Sequence, residues 1–219
     1  MGFYLYAALS WSILLSGILS AILFKKINKR YYPFIFFLWA GCLNEILSTI
    51  LVLNGHHTLV NSNIYVLVEA CLITWFFQKE GHFKKRWIFY LWLIVFALVW
   101  ITENLVIGAI TSDSVYFRIF YSFVIVFFSI NMINEKIFSS RLNLLQDSSF
   151  IIYISFCIYF TYKALIEAFI VYGIDSQGDF FLNIYIIMIY VNFGVNLLYV
   201  LAVLWIPWKR KFTKLSLSQ

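Results

Sequence analysis

Seven apolar runs follow one another along this chain, most of them about as long as a helix needs to cross a bilayer, with only short connections between them. They cover residues 3–24, 33–53, 62–78, 87–108, 114–133, 149–172 and 180–207. A helix rises about 1.5 Å per residue, so about 20 residues cross about 30 Å of hydrocarbon. None of the runs shows the apolar/polar alternation over about ten residues that marks a membrane strand. The expectation is an all-α, polytopic membrane protein: one domain over 1–208, a seven-transmembrane helix bundle, followed by a short basic tail at 209–219. Composition agrees, since 12% of residues are charged and 63% hydrophobic, against roughly 25% charged in a soluble domain. Mean hydropathy is +0.88. The third run is short, which places its polar Asn61–Asn63 end within the bundle or at its interface. Pro33 opens the second run and Pro207 closes the seventh, where a missing N–H is least costly.

The basic residues fix an orientation. Lys25, Lys26, Lys29 and Arg30 separate the first two runs, and Lys79, Lys84, Lys85 and Arg86 separate the third and fourth. Lys136 and Arg141 follow the fifth, and Lys209, Arg210, Lys211 and Lys214 follow the seventh. Fourteen of the 16 Lys and Arg thus fall on one side, while the opposite connections, around His56, Asp113 and Asp175, hold none. The positive-inside bias predicts an amino terminus outside and a carboxyl terminus in the cytoplasm. The net charge of +6 then reflects topology and anionic headgroups at the bilayer surface, and nucleic acid is not an expected partner. The first run lacks a basic n-region and a small-residue cleavage site, so it is expected to stay as a mature helix.

Against this frame a second set of residues stands out. Glu45, Glu69, Glu103 and Glu167 lie inside apolar runs, as do Arg118 and Lys163, the two basic residues outside the juxtamembrane clusters. Counting about 1.5 Å per residue from each boundary, all six fall near the midplane or in the outer half of the bilayer. Asn44 flanks Glu45, and Asn192 and Asn196 share a face of the seventh run at i,i+4 spacing. Charge inside a bilayer is expensive and by default marks a functional site. The nine residues, drawn from six runs, therefore predict an outward-facing polar pocket.

A structural role is the competing reading. Intramembrane polar groups tie helices together at about 0.6 kcal/mol per hydrogen bond, and Lys163 and Glu167 could form a local i,i+4 pair, although Lys before Glu is the weaker order. Four carboxylates against two cations leave two acids uncompensated. Such a group takes up a proton or awaits a cationic ligand, so a small cation or a proton is the expected partner of the pocket.

Catalytic, metal and cofactor motifs do not appear. Cys42, Cys71 and Cys157 have no CxxC spacing. His56 and His57 are on one side and His82 on the other, so they cannot build a three-histidine zinc site. The seventh run has no lysine for a retinal Schiff base, no Pro-Gln pair of a SWEET-type sugar carrier occurs, and no glycine-rich phosphate loop is present. No nucleophile–base set suggests an enzyme.

The segments "NIYVLVEACLITWFF" (Asn63–Phe77) and "NFGVNLLYVLAVLWIP" (Asn192–Pro207) resemble those of small multi-spanning membrane proteins frequent in Bacteroidota. The resemblance implies a bacterial inner membrane and carries no activity with it. The expected function is a sensor or receptor-like module that passes a signal to a cytoplasmic partner through its basic loops and tail. A small proton- or cation-coupled transporter, and a structural or effector subunit of a membrane complex, are the alternatives.

Overall fold

The computed structural model describes residues 9, 11–139, 144–171 and 179–216. Most of the first ten residues, Arg141 and Asp175 lie outside the described residues. Seven α-helices are described: α1 (Ile13–Leu23), α2 (Tyr32–Leu53), α3 (Leu59–Glu80), α4 (Arg86–Ile101), α5 (Val115–Ser139), α6 (Ser148–Val171) and α7 (Asp179–Ser216). Short 3-10 turns and one π-helical stretch, Thr102–Ile107 at the end of α4, accompany them, and there is no strand among the described residues. Six of the helices, α2 to α7, carry segments long and apolar enough to cross a membrane. The described part of α1 has 11 residues.

Local chemistry sets several ends. Pro33 occupies the first turn of α2, where its fixed φ suits a helix start. α2 and α3 stop at Gly55 and Gly81, with φ of +72° and +92°. The next N–H in each case bonds back five residues, His56 to the Leu51 carbonyl at 2.9 Å and His82 to the Phe77 carbonyl at 3.1 Å. These are Schellman endings, and glycine enters their left-handed position without a Cβ clash.

The helices differ from the sequence expectation in four places. α5 runs on to Ser139, six residues past the expected end at 133. α3 begins at Leu59 rather than 62, because Asn61 and Asn63 find partners inside the bundle. The fourth run ends in the π-helical turn. α7 continues through Pro207 to Ser216 instead of stopping there. Proline removes one N–H from the helix, but Lys209, Arg210 and Lys211 beyond it are good helix formers.

Packing closes a ring. α1 packs on α2 and α7, α2 on α3, α3 on α5, α5 on α6, and α6 on α7. α4 sits outside the ring against α3 and α5. Only 11% of its apolar window is buried, against 44% for α5, which makes α4 the peripheral helix.

The half of the ring nearer the basic connections is filled with aromatic rings. Phe34 and Phe37 come from α2, Phe76 and Phe77 from α3, Tyr153 and Phe156 from α6, and Tyr199 from α7, each at most 2% exposed. Phe37 meets Phe156 edge-on at 5.7 Å, Phe34 meets Tyr199 at 5.5 Å, and Phe77 stacks on Tyr153 at 5.9 Å. Such pairs add about 0.5–1.5 kcal/mol each beyond the area they bury. Below this layer, Glu80 takes a 2.6 Å hydrogen bond from the Tyr153 hydroxyl and a 2.8 Å bond from Arg30 Nη2. That contact joins α2's start, α3's end and α6. Lys136 and Asp147 pair at 3.0 Å across the α5–α6 connection.

Candidate ligand cavity

The other half of the ring is polar inside. On each helix the polar residues recur at three- or four-residue spacing, which puts them on one face. α2 carries Gly41, Asn44 and Glu45, and α3 carries Ser62, Tyr65 and Glu69. Arg118 and Tyr121 are one turn apart on α5, as are Tyr159, Lys163 and Glu167 on α6 and Asn192 and Asn196 on α7. Between these faces lies a cavity of about 180 Å³. Its walls include Asn44, Glu45, Arg118, Lys163, Asn192 and Asn196, six of the nine residues expected at a pocket. Ser62, Tyr65 and Tyr159 complete the polar lining, and Ile13 and Val66 add apolar surface.

Two ion pairs brace the walls. Lys163 Nζ lies 2.9 Å from Glu69 Oε2, joining α6 to α3. Glu69 is 1% exposed, and it also accepts hydrogen bonds from the Tyr65 hydroxyl at 3.2 Å and from the Tyr121 hydroxyl. The Lys163 ammonium donates to Tyr121 as well and sits 5.2 Å from that ring's centre and 5.5 Å from that of Tyr159. The aromatic faces supply a cation–π contribution in a desolvated setting.

Arg118 holds the second pair. Its Nη1 lies 3.3 Å from Glu167 Oε1 and 3.8 Å from the exposed Asp113 carboxylate. Its Nη2 donates to Ser62 Oγ at 3.0 Å and Asn63 Oδ1 at 3.1 Å. Asn63 in turn donates to the carbonyls of Ile110 and Ser112, and its own carbonyl accepts from Trp100 Nε1 at 2.8 Å. The fork of one guanidinium thereby ties α3, α5, α6 and the α4–α5 connection together.

The amides are also anchored. Asn61 Nδ2 donates to Asn44 Oδ1 at 2.9 Å and to Ser48 at 3.0 Å. Asn196 Nδ2 donates to Ser12 Oγ at 2.8 Å, which joins α7 to the turn before α1. Glu103 is placed elsewhere: its carboxylate accepts the backbone N–H groups of Tyr116, at 2.9 Å, and Phe117. It caps the start of α5, where N–H groups lack helical partners and the dipole favours an anion. Glu103 therefore does not line the cavity.

Lys163 and Glu167 do not pair with each other; each reaches a different helix. Among the described residues the Glu45 carboxyl has no hydrogen-bond or ion-pair partner, although it lines the cavity. With Lys163 matched by Glu69 and Arg118 by Glu167, Glu45 is the wall carboxyl left without a cation beside it among the described residues. Tyr121 and Tyr159 were not singled out by the sequence. The one signal available for Tyr121 is its position one turn from Arg118.

The chain is thus an all-helical protein with six helices of membrane-spanning length and composition, five of which enclose, with α1, a charged internal cavity. No protein-family model, curated protein or solved structure matches it. Among the described residues no group of three His, Cys, Asp or Glu is placed to hold a metal. The cavity lining carries one carboxyl, Glu45, two cationic side chains, Arg118 and Lys163, and amide and hydroxyl groups.

Proposed function

We propose that this protein is a seven-span membrane receptor-like module, amino terminus outside, whose cavity takes a small monocation or a proton from the non-cytoplasmic side and signals to a cytoplasmic partner. The observation that carries the reading is a polar cavity whose wall holds one carboxyl, Glu45, with no hydrogen-bond or ion-pair partner among the described residues. On α2, α3, α6 and α7 the cavity residues lie away from the basic connections, and the aromatic layer fills the side towards them. A conduit would need polar groups on both sides, and this arrangement supports binding over passage. The basic side, with Arg30–Glu80 and Lys136–Asp147 at its connections, is the surface from which a change in helix packing would be read.

The test uses a variant with Cys42, Cys71 and Cys157 changed to Ala and Asn192→Cys added. In membrane vesicles of known sidedness, an impermeant cationic thiosulfonate is expected to label this cysteine from the outside and not from the cytoplasmic side. Adding Glu45→Gln should slow the cationic reagent several-fold relative to a neutral one, because a charged cleft concentrates counter-ions. Labelling from both sides would instead establish the transporter. Labelling from the cytoplasmic side alone would reverse the orientation and end the proposal.

A further inference from the structure

A second concavity lies at the opposite boundary, outside the ring. The last turn of α3 and the first turns of α4 enclose a groove of about 440 Å³, lined by Trp75, Gln78, Lys79, Arg86, Phe89 and Tyr90. Its charge is of one sign: two cations and no acid. The nearby Glu80 carboxylate is buried and occupied by Arg30 and Tyr153. Lys79 and Arg86, unlike Arg30 and Lys136, have no ion-pair partner among the described residues. No side chain caps the start of α4, so its first N–H groups and the positive end of its dipole add to the potential there.

The groove continues into an apolar track. Four-residue steps from Arg86 reach Tyr90, Ile94 and Leu98 on one face of α4, and these three are 58%, 56% and 58% exposed. The twelve residues from Arg86 to Leu98 rise about 18 Å, close to the roughly 15 Å thickness of one leaflet's hydrocarbon. A pair of cations at the head of a leaflet-long apolar strip, with Trp and Tyr at the boundary, matches a molecule with an anionic head and a hydrocarbon tail.

We propose that this α3–α4 groove binds an anionic phospholipid, its phosphate held between Lys79 and Arg86 and one acyl chain laid along Tyr90, Ile94 and Leu98. The site is independent of the internal cavity. It gives the peripheral helix α4 a lipid partner on the side where protein packing is thinnest.

The experiment titrates the purified full chain in neutral detergent with dioleoyl phosphatidylglycerol, reading the rise in unfolding midpoint. Dioleoyl phosphatidylcholine, dihexanoyl phosphatidylglycerol and inorganic phosphate serve as the comparison probes. Phosphatidylglycerol is expected to stabilise the parent, while phosphatidylcholine and inorganic phosphate do not. Lys79→Gln with Arg86→Gln should weaken its apparent affinity about 30-fold, from about fivefold for each juxtamembrane cation removed. Lys25→Gln with Lys26→Gln, an equal charge change away from the groove, should leave the affinity within about twofold of the parent. Ile94→Asn should weaken the dioleoyl lipid and spare the dihexanoyl one.

Equal loss in the two double variants would mean diffuse surface attraction and overturn the site. An equal response to inorganic phosphate would make it a free-anion site, and unchanged binding in the groove variant would remove it altogether.

Discussion

Lys163→Met is the sharpest perturbation of the cavity wall. It keeps the apolar stem and deletes an ammonium lying 2.9 Å from Glu69 Oε2, in a pair whose side chains are 12% and 1% exposed. With so little water nearby, the screening that weakens surface pairs does not apply. Removing one partner of a buried pair strands the other, at about 3–5 kcal/mol. For a chain of 150–250 residues each kcal/mol moves the unfolding midpoint by about 2–4 °C. The midpoint should therefore fall by about 6–20 °C, measured by intrinsic fluorescence in detergent at one fixed scan rate. Adding Glu69→Leu should recover most of the loss, since an ion pair replaced by apolar groups is near neutral. Adding Glu167→Leu instead should recover none, because Glu167 answers to Arg118 at 3.3 Å. Rescue by Glu167→Leu and not by Glu69→Leu would refute the α3–α6 pairing and return Lys163 to a local contact along α6.

Two further expectations follow from other parts of the fold. Glu103→Gln weakens the carboxylate that receives the Tyr116 and Phe117 N–H groups; stability should drop by about 0.5–2 kcal/mol, as for other helix caps, with faster amide exchange confined to the first turn of α5. Burial among the rings of Phe77, Phe83 and Phe128 lowers the pKa of His82 below its ordinary 6.5, against a smaller opposing pull from Glu135. The unfolded chain then binds the proton more readily, so this contribution to stability is full above about pH 6.5 and is lost as pH falls through the lower folded value; His82→Phe should flatten that part of the midpoint-versus-pH curve.

Hydropathy made the helical class and the rough position of each element legible, because a helix in lipid must satisfy its own backbone along its whole length. The ends were less legible where local partners override apolarity. The apolar run begins at 62 and its polar Asn61–Asn63 end is expected in the bundle or at its interface, yet α3 starts earlier, at Leu59, because Asn44, Ser48 and the Ile110 and Ser112 carbonyls accept the amides of Asn61 and Asn63. Pro207 looks like a terminator, yet α7 runs on through it. Within the candidate site, residue type and depth were enough to single out six of the cavity-lining side chains. Which charge meets which was not readable, since Lys163 and Glu167 stand four apart on one helix and pairing across the ring depends on how α3, α5 and α6 close on each other. Glu103 shares its depth with the others but lies at the end of a peripheral helix, beside the exposed amides of α5.

The two buried ion pairs do not explain themselves through stability. Apolar side chains in their place would leave a bundle of equal or greater stability, and lipid supplies no solvent to reward charge. What the pairs do is hold two cations and two anions in mutual balance around a chamber, leaving Glu45 as the wall carboxyl with no partner among the described residues. That makes Glu45→Gln the substitution that separates a binding site from structural glue. If Glu45 tied helices together, the change would lower the midpoint as Lys163→Met does. Because its carboxyl lines the cavity without a partner among the described residues, replacing it with an amide of the same shape breaks no contact, and the midpoint should hold or rise by a few degrees. The same variant should lose the preference of a cavity cysteine for a cationic over a neutral reagent. A large fall in midpoint with that preference intact would place Glu45 in the scaffold and take the cation out of the proposed function.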